Sequence, residues 1–486
     1  MTSATDEACV DGPSVCAVEL DPTAPPIQYH DRMSDEDALM WSIEKDPMLR
    51  STITTVILLD RQVPRERLRA SFDRLSRVVP RLRQRVRSNP LSIAPPRWEV
   101  DPNFDLGYHL REAGVPGEGT LRDLLRMAEP IAMQGFDRAR PQWECTMVDG
   151  LTDGRDALIM KIHHAMTDGV GGVRLMLELF DLEPDAPARD IPPEPVPHVM
   201  NQAERFSDAF VHQSRAGVDM LRQLTGAGAH AAWSGITDPM GTLESGAEMV
   251  ASASRILRPS PVPLSPIMSG RSLSNHLEAL TLPLDLAKKA GKRIGGSLND
   301  AYVTGLVRGL QHYHTRQGVP VHDLRMGMPI NVRSDTMADT AGNAFVPSRF
   351  EIPVHAHDPI ELMRTIRRRM LTARDEPANQ LVDPLANIIN RLPTTVVTQV
   401  FGSMMKGLDF QASNVPGAPV PVYLHGVPVS AIIPFGPLAG AACNVTLLSY
   451  QNDLNIGINV DPVAVPDTDD FIECVRLGYD EILDLA

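Results

Sequence analysis

Two clusters of proline set the outer limits on how these 486 residues can fold. The first holds six prolines between Pro184 and Pro197, among acidic residues. The second holds Pro259, Pro261, Pro263 and Pro266. Proline fixes φ and has no N–H to give, so neither stretch can continue a helix or sit inside a sheet. The prolines and the Gly/Ala/Ser-rich residues between them read as an extended connection. A chain of this length also exceeds one ordinary core and suits two domains of roughly 200 residues. The expected division is a flexible segment over 1–30, an N-terminal domain over 31–188, a connecting segment with helices over 189–272, and a C-terminal domain over 273–486.

Helix and strand signals alternate on both sides of the break. Ser34 and Asp37 form a capping-box pattern ahead of Ala38, Leu39, Met40 and Trp41. Ser51–Leu59 is β-branched and apolar, as a buried strand requires. A basic amphipathic helix runs from Arg65 to near Pro80, and Arg81–Arg87 alternates arginine with Leu82, Gln84 and Val86, a period-2 strand pattern. Leu121–Met133 reads as helix, Ala157–Ile162 as strand and Val170–Phe180 as helix. Asn201 to about Thr225 has weak helical periodicity. In the second half, helices are expected over Leu284–Ala290, from a Ser297/Asp300 capping box to His314, over Glu361–Ala373 and over Asp469–Leu485. Strands are expected at Met326–Val332, Val420–Leu424, Ala431–Pro434, Cys443–Tyr450 and Leu454–Val460. The class is α/β with mixed sheets.

Charge and cysteine usage exclude several functions. The formal net charge is −15, which repels a long polyanion, so nucleic acid is not an expected partner. A small anion needs only a local basic patch. The five cysteines are scattered and odd in number, with no metal-ligand spacing. Reduced thiols in a cytoplasm, and no metal, are the simplest expectation. The start at Met1–Glu7 has neither a basic nor an apolar signal region. The longest apolar stretch, Val427–Cys443, is broken by Pro428, Pro434 and Pro437.

The stretch richest in chemistry is Lys161-Ile162-His163-His164-Ala165-Met166-Thr167-Asp168-Gly169-Val170-Gly171-Gly172. An apolar strand ends at two histidines, and a glycine-rich turn then opens a helix. Adjacent residues at a strand end point to opposite sides, so one imidazole can face a cleft and the other the interior. An imidazole titrating near neutrality suits general-base work. Asp168 follows too closely, at a sharp turn, to be assumed a second acid, and a structural ion pair is the alternative. Gly169, Gly171 and Gly172 let the backbone turn tightly.

This H-H-x-x-x-D-G pattern resembles the active-site motif of the chloramphenicol-acetyltransferase-like superfamily. The bacterial wax ester synthase/acyl-CoA:diacylglycerol acyltransferases are the most similar group within it. Pro141-Gln142-Trp143 is similar to that family's P-L-W element, departing at Gln142. Asn299-Asp300-Ala301-Tyr302-Val303 is similar to its N-D-V-V-L-A element. Met328-Pro329-Ile330-Asn331-Val332-Arg333 resembles its P-V-N-V-R strand, and Ser413-Asn414-Val415-Pro416-Gly417 its T-N-V-P-G element. The resemblance runs from about residue 30 to near the end.

It implies two chloramphenicol-acetyltransferase-like domains with an active-site tunnel between them. It implies an O-acyltransferase in which His164 takes the proton of a hydroxyl that attacks a long-chain acyl-CoA. The acceptor would be diacylglycerol, giving triacylglycerol, or a long-chain alcohol, giving wax ester. His163, Asp168 and Gly169 would complete the motif. Asn299, Asp300 and Arg333 are substrate or oxyanion candidates, and Asp168 is expected to pair with Arg333. No cofactor is implied beyond acyl-CoA as co-substrate. Residence is expected in the cytoplasm, with peripheral contact to a membrane or lipid droplet through the connection or through 427–443. A carrier-protein-dependent condensation-type acyltransferase and an inactive lipid-binding homologue are the alternatives. Plainer roles stand beside these: Asp300 as a helix cap, Asn299 as a first-turn residue, Trp143 as core, His163 as structural, and His312 and His314 as surface residues. The arginines at 81, 83, 85 and 87 and Arg367-Arg368-Arg369 read as solvated faces or as holders of CoA phosphates.

Overall fold

The segment Thr-Ile-Thr-Thr-Val-Ile-Leu-Leu is β-branched and apolar on both faces, which places it in a sheet covered on both sides. In the computed structural model, which describes residues 29–89, 94–167, 169–215, 262–331, 345–356, 358–374 and 394–486, it forms β1 (Thr52–Leu59). Its neighbours are β6 (Asp156–His163) on one side and β12 (Val427–Phe435) on the other, both antiparallel. β5 (Trp143–Asp149) pairs antiparallel with β6, and β4 (Leu110–Gly114) parallel with β5. The short β11 (Tyr423–Leu424) closes the other edge. Two strands of the second half thus lie in the first sheet. The stretch from Val427 is one of them and is largely buried.

The second sheet runs β7 (His276–Pro283), β14 (Asp453–Val460), β13 (Cys443–Tyr450), β10 (Phe410–Val415), β8 (Asp323–Asn331), β9 (Phe345–Pro353). β10 is parallel to both neighbours and the remaining pairs are antiparallel. Both sheets are therefore mixed.

Helices cover the faces. In the first half these are α1 (Asp35–Ile43), α2 (Arg65–Val78), α3 (Leu106–His109), α4 (Leu121–Met133) and α5 (Gly169–Leu179). A further helix, α6, spans 202–215. The second half has α7 (Leu284–Lys292), α8 (Leu298–Arg316), α9 (Pro359–Arg374), α10 (Thr394–Lys406) and α11 (Thr468–Leu483). The capping predictions hold where their residues are described. The Ser34 side chain accepts the Asp37 N–H, and Ser297 and Asp300 form a reciprocal box. Such caps contribute about 1 kcal/mol each.

α4 joins the halves. Its apolar face, with Leu124, Leu125 and Ala128, shares a core with Val56 and Ile159 of the first sheet and Leu277 of β7. Arg122 bonds the Leu277 carbonyl and Glu278, and Glu129 takes the Leu277 N–H.

Two sequence expectations fail. Arg81–Arg87 is a 3₁₀ turn (Pro80–Arg83) leading into β2 (Gln84–Arg87), which pairs with β3 (Arg97–Val100). Its arginines are neither a solvated face nor a phosphate patch. The Arg81 guanidinium lies 4.1 Å over the Trp98 ring, and burial pulls it down to about 10. Arg83 pairs with Asp73 at 2.8 Å, Arg85 with Asp101 at 3.4 Å and Arg87 with Glu99 at 4.0 Å. His314 is not at the surface. Its Nδ1 donates to the Leu310 carbonyl, and its Nε2 lies 2.7 Å from Ser265 Oγ, deep in the second core.

Candidate active site

Strand pleating decides where the two histidines go. β6 alternates its side chains, so His163, Lys161 and Ile159 share a face, and His163 stands opposite Thr52 of β1. The His163 ring is 1% exposed. Trp41 and Phe136 meet it edge-on, with centroids 5.3 Å and 6.3 Å away. Its Nδ1 accepts the Ala165 N–H at 3.0 Å, which leaves the ring proton on Nε2. That nitrogen lies 2.9 Å from Glu44 Oε1.

The chain then leaves the sheet. His164–Met166 is a 3₁₀ turn in which the His164 N–H donates to the Ser51 carbonyl at 2.7 Å. Its carbonyl accepts the Thr167 N–H at 3.2 Å. Ala165 and Met166 are buried, whereas His164 is half-buried as a residue, with its Nδ1 enclosed. The two neighbouring imidazoles therefore occupy different environments, one sealed between aromatic edges and one partly open.

Glu44, at the end of α1, was not singled out by sequence. It also takes the Ser51 N–H at 2.6 Å and stands 3.7 Å from Arg138. Burial pushes its carboxyl up, but His163, the Ser51 N–H and Arg138 together outweigh burial and leave it below the ordinary value. One signal could have found it. An anion at a helix C-terminus opposes the helix dipole and so calls for an outside partner.

The same face of the sheet continues polar. Lys161 lies opposite Glu144 of β5, 3.8 Å from its carboxylate and 4.4 Å from the Phe136 ring. Burial pulls Lys161 down to about 8 despite that carboxylate. Arg111 pairs with Glu144 at 3.1 Å.

Pro141-Gln142-Trp143 lies against this turn. The Gln142 carbonyl accepts the His163 N–H at 2.9 Å. Trp143 points into the core, where it stacks 4.7 Å from His109 and donates to the Leu82 carbonyl. Its role here is packing.

Asn299 and Asp300 form a second group. The Asn299 Oδ1 accepts from Asn414 Nδ2 at 3.3 Å, so two of the quoted motifs meet through their asparagines. Gly417, which ends the second motif, packs against β13, where a Cβ would come within 1.8 Å of the Ser449 carbonyl oxygen. Asp300 is 3% exposed and accepts from Ser297 while holding Arg367 at 2.8 Å. That is a cap and an ion pair. Asp168 and Arg333, and therefore their expected pairing, lie outside the described residues, and Gly169 is described only as the first residue of α5. Among the described residues there is no cluster of three or more His, Cys, Asp or Glu able to hold a metal ion, and no helix long and apolar enough to cross a membrane.

Comparison with known proteins bears on this geometry. Residues 33–302 match the family model for the wax ester synthase/diacylglycerol acyltransferase catalytic domain, and 341–483 match that for the WS/DGAT C-terminal domain. A Mycobacterium tuberculosis H37Rv protein, named as a candidate diacylglycerol O-acyltransferase, is 38% identical over 460 residues, covering 94% of this chain and 93% of its own. A second protein of that organism, tgs1, named for the same activity, is 28% identical over 408 residues, 81% of this chain and 84% of its own. Among solved structures, the wax ester synthase/diacylglycerol acyltransferase of Marinobacter aquaeolei VT8 superposes with a TM-score of 0.61 at 19% identity, over 93% of this chain and 98% of that one. The first condensation domain of the calcium-dependent antibiotic synthetase gives 0.61 at 15% identity, over 94% and 96%.

Proposed function

Because the chain belongs to the wax ester synthase/diacylglycerol acyltransferase family, and that family indicates acyl-CoA acyltransferase activity, we propose that it transfers a long-chain acyl group from acyl-CoA to diacylglycerol, with His164 as general base. The preference for diacylglycerol draws on the activity for which its 38%-identical relative is named. A long-chain alcohol is the competing acceptor.

The observation that carries the mechanism is the contrast between the two imidazoles. His163 is enclosed, its tautomer set by the Ala165 N–H, with its Nε2 facing Glu44. His164 is held by its backbone on a tight turn and is half-buried as a residue at the end of the strand, with its Nδ1 enclosed. A base needs a fixed position and an open approach.

In this reading the His164 imidazole accepts the proton of the acceptor hydroxyl as its oxygen attacks the thioester carbonyl. A tetrahedral oxyanion forms. It collapses with cleavage of the C–S bond, and the proton passes from His164 to the departing CoA thiolate. One C–O bond is made, one C–S bond is broken, and no acyl-enzyme is needed. The Asn299–Asn414 pair is the candidate for steadying the oxyanion, as hydrogen-bond donors commonly do. A tunnel between the domains would let the two substrates reach His164 from opposite sides, and their shared proximity would supply much of the rate. Exposed Phe206, Phe210 and Val211 on α6 offer apolar side chains for peripheral contact with a membrane or lipid droplet.

The test is CoA release from palmitoyl-CoA with dioleoylglycerol and with hexadecanol, in parallel. His164→Ala should lower kcat by ~10²–10⁴-fold, the usual worth of a positioned base, with an unchanged melting temperature. Turnover retained in that variant would remove His164 from the mechanism, and faster turnover of hexadecanol would reassign the acceptor.

A further inference from the structure

We infer that Glu44 is a positioning residue whose carboxylate fixes the backbone on both sides of His164, an inference that rests on His164 being the base. Glu44 sits where α1 ends, among carbonyls that disfavour an anion. It is retained there by partners that lead, by two separate routes, to the same residue. On the first route its Oε1 takes the Ser51 N–H at 2.6 Å, and the Ser51 carbonyl takes the His164 N–H at 2.7 Å. On the second, Oε1 stands 2.9 Å from His163 Nε2. The His163 Nδ1 accepts the Ala165 N–H at 3.0 Å, which puts the ring proton on Nε2, the nitrogen that faces this carboxylate. The peptide groups before and after His164 are thus each separated from a single carboxylate by one intervening residue, Ser51 on one route and His163 on the other. Moving the His163 proton to Nδ1 would set two donors against each other at Ala165 and loosen the turn that carries the base. Trp41 and Phe136 bound the imidazole at its edges, and neither can set its tautomer. Arg138, at 3.7 Å, holds the carboxylate from the far side.

The experiment uses the full chain with Glu44→Gln and Glu44→Ala, each alone and combined with His163→Gln. Palmitoyl-CoA and dioleoylglycerol are the substrates, and melting temperature is followed in parallel. A displaced base should cost roughly 10–100-fold in kcat. The KM for palmitoyl-CoA should stay within about threefold, because no substrate contact is removed. In the His163→Gln background Glu44→Gln, which keeps the Ser51 route, should add much less than it does alone, the sign of action through a shared partner. A merely structural acid would lower the melting temperature and the active fraction, with kcat per folded molecule unchanged. Glu44→Gln keeps the volume and an acceptor for Ser51, so it carries the test if Glu44→Ala does not accumulate. A folded Glu44→Gln enzyme with kcat near that of the parent, or losses that simply multiply in the double variant, would overturn the inference. Activity retained in His164→Ala would instead overturn the mechanism beneath it, so the two failures are distinguishable.

Discussion

Asp300 holds two partners at one helix end. Its carboxylate accepts from the Ser297 backbone and hydroxyl, and it also holds Arg367. Asp300→Ala should therefore cost about 1–2 kcal/mol, chiefly through the lost cap, and shift the urea midpoint downward. Asp300→Asn keeps an acceptor for Ser297 and should cost less. Both should leave kcat per folded molecule unchanged. A fall in kcat at an unmoved midpoint would make Asp300 a substrate contact instead. The Ser-x-x-Asp pattern was legible in the sequence because a capping box is a contact over three residues. Arg367 was not, since it comes from α9 and only packing brings it there.

At the scale of elements, the two sheets and the paired helices meet through glycines. A Cβ on Gly457 of β14 would come within 1.8 Å of the Pro434 carbonyl oxygen on β12. One on Gly478 of α11 would lie 2.3 Å from the Gly309 nitrogen on α8. Both obstacles are backbone, which cannot rotate aside. Gly478→Ala should cost about 1–3 kcal/mol, and Gly457→Ala, where the approach is closer, about 3 kcal/mol or more. Thermal denaturation checks both, and an unshifted melting temperature for Gly457→Ala would show that the sheets can part without penalty. Strand ends were read well where side chains alternate or run apolar, as in β13. The whole of β5 was missed, because Glu144 and Thr146, which face the polar strip that includes Lys161, interrupt its apolar run.

For the whole molecule, stability should depend on pH through histidines buried in both cores. His109 is stacked between Phe104 and Trp143, and burial pulls it down to about 4. Burial also lowers His314. Below about pH 6.5 the unfolded chain binds protons that the folded chain refuses, so stability is present above that pH and is lost as pH falls toward 4. His109 alone accounts for up to about 3 kcal/mol of that loss. The melting temperature should fall between pH 7 and pH 5, and His109→Phe should flatten the dependence. An equally steep fall in that variant would place its origin elsewhere.

The sequence by itself determined what depends on near neighbours: the alternation of helices and strands, the caps, the strand that delivers two histidines to a turn, and the motif set that identified the family. Tertiary structure alone decided which strands share a sheet. It sent β11 and β12 back to the first half, and it turned the Arg81–Arg87 run inward against Trp98, Asp73 and Asp101. It also put Glu44 beside His163. The physical reason is reach: pattern and propensity act over a few residues, whereas the partner of a buried charge can come from any part of the chain, and only packing chooses it.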